Sequence, residues 1–320
     1  MNVLVPLNNL EHLTQYVEAG AREFYIGFYC DAWTEQFGAY ADLNRLSGYE
    51  KEANTYSFEE ILAMVPKVKE TGSSIYITFN SSVYSEEQVQ YMRRYFEQLK
   101  QVGVDGVIVS CIELVTLAKE CGVDSVASTI CGIYNSDIAR FYYEAGARRL
   151  ILPRDLSIEE VCSIMQAVPE VEYEVFMMRN GCTFSDANCL GLHRLKNCAI
   201  CASLRKGLHE LYMKNKQKGH QEEVKENDRL FTKDFHKYSC GLCSIYDFVK
   251  AGVKAGKIVG RTDDWEDICR DIRLVCENVQ IAKNCETKEA YLEAMVRGEY
   301  ENGICEDGMS CYYPEVRFGN

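Results

Sequence analysis

Eight times along this chain a short apolar run is followed by a stretch of helical periodicity, and few folds accept that rhythm. The runs are NVLVPL (2–7), EFYIGF (23–28), SIYITFN (74–80), GVIVS (106–110), DSVASTI (124–130), RRLILP (148–153), VEYEVFMM (171–178) and KIVGR (257–261). Helix signals separate them: Gly20 ends LEHLTQYVEAG, and Ser57 with Glu60 and Ser157 with Glu160 stand at capping-box spacing. Alternation of this kind predicts parallel strands joined by crossover helices. Eight repeats favour an α/β, TIM-type (β/α)8 barrel over an open doubly wound sheet. No GxGxxG follows the first strand, which weakens a dinucleotide-binding alternative. The 320 residues suffice for one barrel over 1–261, with C-terminal helices and a tail over 262–320 packed on it.

Three stretches interrupt the rhythm. Residues 29–56 carry Cys30 and Trp33 but no clear period, which predicts a long loop over one end of the fold. Pro66 falls inside a helical pattern and is expected to kink it. The third is a cysteine-rich insertion after strand seven, residues 179–243, which contains the charged insert KNKQKGHQEEVKENDRLFTKDFHK at 214–237.

That insertion supplies Cys182, Cys189, Cys198, Cys201, Cys240 and Cys243, six of the chain's 16 cysteines. The N-terminus has no basic segment followed by a long apolar one, and no uncharged run is long enough to cross a bilayer. Reduced thiols in the cytoplasm are therefore the expectation, rather than a disulfide framework. Thiolates gathered just past a strand end read as a soft-metal site, a 4Fe-4S cluster on four cysteines, with tetrahedral zinc as the alternative. Purely structural cysteines are the bland reading. Cys121, Cys162, Cys269 and Cys276 lie in helical patterns and read as packing residues, and Cys285, Cys305 and Cys311 read as free thiols, with a second metal site as the alternative.

In a barrel, chemistry belongs at the carboxyl ends of the strands. Cys30, Asn80, Cys111, Ser128, Thr129, Cys131, Arg154 and Asp155 fall at or just after predicted strand ends. Turn chemistry is the ordinary use of such residues. Asn80, Thr129, Arg154 and Asp155 are the candidates for substrate binding, Arg154 because an arginine there suits a carboxylate or phosphate. The formal net charge of −13, from 35 basic and 48 acidic side chains, excludes the global basic field of a general nucleic-acid binder.

The ordered blocks NVLVPLNNLEHLTQYVEAGAREFYIG, DGVIVSCIELVTLAKECG, RRLILPRDLSIEE, Glu174–Cys189 and AGVKAGKIVGR resemble the U-32, or collagenase-like, peptidase family. The resemblance implies a barrel core, and in several branches a 4Fe-4S cluster linked to oxygen-independent hydroxylation of ubiquinone precursors, transfer RNA or ribosomal RNA. Carried over by position, it puts metal ligands on Cys182, Cys189, Cys240 and one of Cys198 or Cys201, with Cys30 as a substitute. It also implies a small-molecule or RNA substrate and a homo- or hetero-dimer, and the lack of a bilayer-length apolar run leaves no membrane partner expected. A non-catalytic metal-stabilised subunit of a heteromeric complex is a further alternative. The catalytic residues stay unassigned.

Two departures stand out. Met178 and Arg179 replace the family's His-Gly before the first thiol, and Val259 replaces the glutamate of its Lys-Ile-Glu-Gly-Arg. The peptidase label finds little support, because neither HExxH nor GxSxG occurs and a nucleophilic Cys182 or Cys189 has only His193 nearby as a base.

Overall fold

The computed structural model describes residues 1–182, 185–189, 238–298, 305 and 310–316. Cys198, Cys201, His193 and the insert 214–237 lie outside the described residues. Eight parallel strands close into a barrel in sequence order: β1 (Asn2–Pro6), β2 (Glu23–Ile26), β3 (Ser74–Phe79), β4 (Gly106–Val109), β5 (Ser125–Ala127), β6 (Ala147–Ile151), β7 (Glu172–Met178) and β8 (Ala255–Ile258). Closure is made by β1 against β8, with Asn2 opposite Ala255 and Leu4 opposite Lys257.

Crossovers are made by α1 (Leu13–Ala19), α3 (Phe58–Glu70), α4 (Glu86–Gln101), α5 (Ile112–Glu120), α6 (Ser136–Ala145), α7 (Ile158–Ala167) and α8 (Ile245–Ala251). Both expected capping boxes are complete: Ser57 and Ser157 accept the amides of Glu60 and Glu160, whose carboxylates accept theirs in return. Pro66 sits inside α3, which continues to Glu70 on a buried face of Ile61, Met64, Val65 and Val68.

Two expectations need correction. Residues 29–56 are no structureless loop: they contain α2 (Asp31–Phe37) and a 3-10 helix at Ser47–Glu52. Trp33 anchors α2 from within the core, with its indole N–H on the Ala41 carbonyl at 2.6 Å and its ring edge-on to Tyr91. The fifth strand ends at Ala127, where the chain turns into a short 3-10 helix, Thr129–Cys131, that stops at left-handed Gly132.

The barrel interior is ionic at its amino-terminal half. Arg149 pairs with Glu23 at 2.5 Å, Glu172 at 3.2 Å and Glu174 at 3.6 Å, and Lys257 pairs with Glu174 at 2.9 Å. Such charges are tolerable when buried because each has an opposite charge beside it. Apolar packing lies between the strands and the helix ring, as where Phe28 meets Phe58, Phe79 and Tyr95.

The C-terminal part packs back on the barrel. Helix α9 (Trp265–Asn284) lies across α1, α8 and β1, and α10 (Lys288–Ala294) follows it. The tail then returns to the carboxyl rim: the Cys240 amide donates to the Ser310 carbonyl and the Tyr312 amide to the Cys240 carbonyl, each at 2.8 Å, and the Tyr313 hydroxyl donates to the Phe176 carbonyl at 2.7 Å. No described helix is long and apolar enough to cross a membrane.

Candidate functional site

At the end of β7 the chain reverses through two consecutive left-handed residues, Arg179 (φ 64°) and Asn180 (φ 52°). Left-handed backbone at a residue with a side chain costs roughly 1–2 kcal/mol, and it persists only where the surroundings hold it. Here they do. The Arg179 amide donates to the Ser239 carbonyl at 2.7 Å, and its carbonyl accepts the Tyr312 hydroxyl. Its buried guanidinium lies among Asp263, Asp267 and Asp271 from the start of α9 and the turn before it. The resembled family has glycine at this position, the residue that adopts such a φ without strain. This chain uses arginine and offsets the strain with three carboxylates.

The reversal sends the following residues over the mouth of the barrel, where buried Asp186 gathers the rim. It accepts from Thr129 Oγ1 at 2.9 Å and from Arg154 Nε at 2.9 Å, and pairs with Arg45 at 3.4 Å. Burial works against the Asp186 charge, but Arg154 and then Arg45 outweigh it and hold the carboxyl below its ordinary range. Asn80 joins by accepting the Arg45 amide at 3.2 Å. Asp155 joins through Tyr134, whose hydroxyl lies 2.9 Å from Asp155 Oδ2 and 2.6 Å from Ser185 Oγ. Thus Asn80, Thr129, Arg154 and Asp155 all lie on one rim. Arg154 is already committed, to Asp186, to the Asn180 carbonyl at 2.8 Å and to the face of Phe176 at 4.1 Å.

Two of the expected metal ligands, Cys182 and Cys240, lie at the β7 end of the mouth, and a third, Cys189, reaches across to the β3 side. Cys182 is within electrostatic range of Arg154 and of Tyr312, and Cys240 also faces Tyr312. Cys240 bridges Met178 on one side and Cys311 on the other. Its sulfur accepts the Leu242 amide at 3.4 Å, a contact that favours a thiolate. Burial nevertheless pushes the Cys240 thiol well above its ordinary value, and Cys243, Cys305 and Cys311 add to the shift. Cys189 is half-buried, and its carbonyl accepts from Ser82 Oγ at 3.4 Å. Among the described residues, no three His, Cys, Asp or Glu side chains are close enough to hold one ion. In donor chemistry the rim fits a soft metal: its candidate ligands are sulfur, and one of them takes a backbone N–H.

The family model described as Peptidase family U32 matches residues 8–313. This chain belongs to peptidase family U32. Among its curated relatives, a collagenase of Porphyromonas gingivalis is 24% identical over 274 residues, 81% of this chain and 60% of that protein. A tRNA hydroxylation protein P of Helicobacter pylori is 22% identical over 270 residues, covering 82% of this chain and 60% of that one. The 23S rRNA 5-hydroxycytidine C2501 synthase of Escherichia coli is 26% identical over 218 residues, 65% of this chain and 31% of the synthase. The matched region thus spans 31–60% of the length of these relatives.

Within this U32 chain the other rim cysteines have local uses. The Cys30 sulfur accepts the Tyr95 hydroxyl at 3.2 Å, and burial pushes the Cys111 and Cys131 thiols up to about 12, which makes them inert packing groups. Sequence reasoning passed over three members of the rim. Asp186 lies within the Glu174–Cys189 block but has no role there by sequence alone, and the roles of Asp186 and Tyr312 come from tertiary contacts. Arg261 was read only as the end of a strand, although a charged residue just past β8 is a rim position in any barrel.

Proposed function

We propose that this U32 chain is a cytosolic iron–sulfur enzyme that hydroxylates its substrate without dioxygen, in the manner of the RNA-hydroxylating relatives. The observation that carries the reading is the backbone pairing of Cys240 with Met178, which brings the segment after the insertion to the end of β7, four residues before Cys182. Cys182, Cys189, Cys240 and one of Cys198 or Cys201 would hold the 4Fe-4S cluster. When bound, such a cluster supplies one-electron transfer.

The chain's own residues do the rest. The Asp186 hub fixes the strand-seven loop against β5 and β6 through Thr129 and Arg154, so the thiols are presented from a tied-down loop. Tyr312 and Phe176 cover one side of the mouth with apolar surface and exclude water from it. Hydroxylation replaces C–H by C–OH and removes two electrons from the substrate. An oxygen donor able to accept them must therefore reach the same mouth.

Anaerobic purification followed by iron and acid-labile sulfide assays tests the reading. Near-equal iron and sulfide are expected, and Cys182→Ala, Cys189→Ala or Cys240→Ala should each remove the iron while Cys243→Ala keeps it. Zinc without sulfide would replace the redox reading with a structural metal, and neither metal would leave the thiols to a peptidase or to packing. RNA-modification and metabolite profiling of a deletion strain then identifies the substrate.

A further inference from the structure

Arg261, three residues beyond β8, is 5% exposed and has no carboxylate partner among the described residues. Of its five N–H groups two are accepted there, by Asn44 Oδ1 at 3.0 Å and Asn54 Oδ1 at 3.3 Å, both neutral amides. The other deeply buried arginines differ: Arg149, Arg154 and Arg179 each touch at least one carboxylate. Burial is the main influence disfavouring protonation of Arg261; Tyr25 opposes it and Arg45 adds to it. The net effect brings the guanidinium down to about 10, still charged at neutral pH. Asp186 pairs with Arg45 and Arg154, while Arg261 reaches only Asn44 and Asn54. The backbone is cut away to admit the group. A Cβ at Gly27, just past β2, would stand 2.0 Å from Arg261 Nη1 and 2.4 Å from Asn54 Oδ1, although Gly27 needs no left-handed φ.

We infer that Arg261, backed by Arg45, is the seat of a small-molecule oxyanion, a phosphate or carboxylate group, at the carboxyl mouth of the barrel. A buried charge with neutral partners lacks the compensation that folded proteins otherwise supply, and a planar fork with free N–H groups matches the two oxygens of such an anion. The loops after the seventh and eighth strands are also where barrel enzymes often hold phosphate groups. Arg154, the arginine that strand position alone suggested for this task, is neutralised by Asp186, whereas Arg261 is not. The anion would take the N–H groups that Asn44 and Asn54 leave open. The seat stands whether or not the thiols hold a cluster, and iron content of the same preparation reports on that separately.

The test is calorimetric titration of the full chain with inorganic phosphate and with malonate against chloride at matched ionic strength, with thermal melting in parallel. Saturable binding of one of them is expected, phosphate preference indicating a phosphorylated ligand and malonate preference a carboxylic one. Arg261→Gln and Arg261→Lys should each raise the dissociation constant about tenfold or more, in keeping with the loss of charged, forked hydrogen bonds. Asn44→Asp, which places a carboxylate on the guanidinium from within, should fold with at least wild-type stability and abolish anion binding. Absence of binding by the wild type at tens of millimolar, or binding that Asn44→Asp leaves unchanged, overturns the proposal.

Discussion

The residue with the widest reach at the mouth is Asp186. It is the sole carboxylate touching Arg154 among the described residues, and both side chains are buried. Asp186→Asn keeps the shape and removes the charge, so it should lower stability at pH 7 by about 3–5 kcal/mol, the usual cost of leaving one partner of a buried pair uncompensated. Adding Arg154→Met should recover part of that loss, because the stranded charge goes with it. The pH dependence has a definite sign. The folded carboxyl titrates below the unfolded value of 3.8, so its contribution is complete above that value and disappears as the pH falls through the lower folded one. Denaturant melts at several pH values read this directly: wild type and Asp186→Asn should differ at pH 7 and converge in acid, and equal midpoints at pH 7 would remove Asp186 as the hub. Why the sequence named Arg154 and Thr129 but not Asp186 is physical. Strand ends can be located from apolar runs, whereas the partner came from a long βα-loop whose path depends on the left-handed turn at Arg179 and Asn180.

Elements that carry their own local signals were legible. Serine caps with glutamate three residues on, apolar stripes and glycine stops placed the crossover helices, and apolar runs placed eight strands whose parallel order follows from alternation. Helix α2 was not legible, because seven residues cannot display a period and its stability comes from aromatic contact rather than propensity. Trp33 meets Phe37 within the helix and Tyr91 of α4, and its N–H ties down Ala41. Trp33→Ala should therefore cost about 3–5 kcal/mol, typical of truncating a fully buried tryptophan. The effect belongs to the element as well as to the core. Amides of residues 38–56, the stretch that brings Asn44, Arg45 and Asn54 to the mouth, should exchange faster in the variant. Unchanged exchange there would mean that the stretch is held by its contacts to Asn80, Tyr84, Asp186 and Arg261 without Trp33.

At the scale of the whole molecule, the two ends of the cysteine-rich insertion are stitched to the barrel by the C-terminal tail. Cys240 lies between Met178 and Cys311 in successive bridges, so the segment after the insertion is sandwiched between the end of β7 and the tail. Tyr312 is the side chain that joins them. It is fully buried, near-parallel to Phe176 at 6.0 Å, 5.9 Å from the Arg154 guanidinium, and its hydroxyl donates to the Arg179 carbonyl at the strained turn. None of this could be read from GMSCYYPEV, where two adjacent tyrosines carry no period and the partner surface is formed by strand seven more than 130 residues away. Tyr312→Phe removes one hydrogen bond and should cost about 1 kcal/mol. Tyr312→Ala also empties a site against Phe176 and Arg154, and about 3–5 kcal/mol is expected. The two variants separate packing from function. If Cys182 and Cys240 hold a common cluster across this ring, Tyr312→Ala should lose iron faster than wild type under a chelator even at temperatures where it remains folded, while Tyr312→Phe should retain it. Wild-type melting of Tyr312→Ala would show that the tail is not part of the barrel's core, and wild-type iron retention in a destabilised Tyr312→Ala would place the cluster away from this ring.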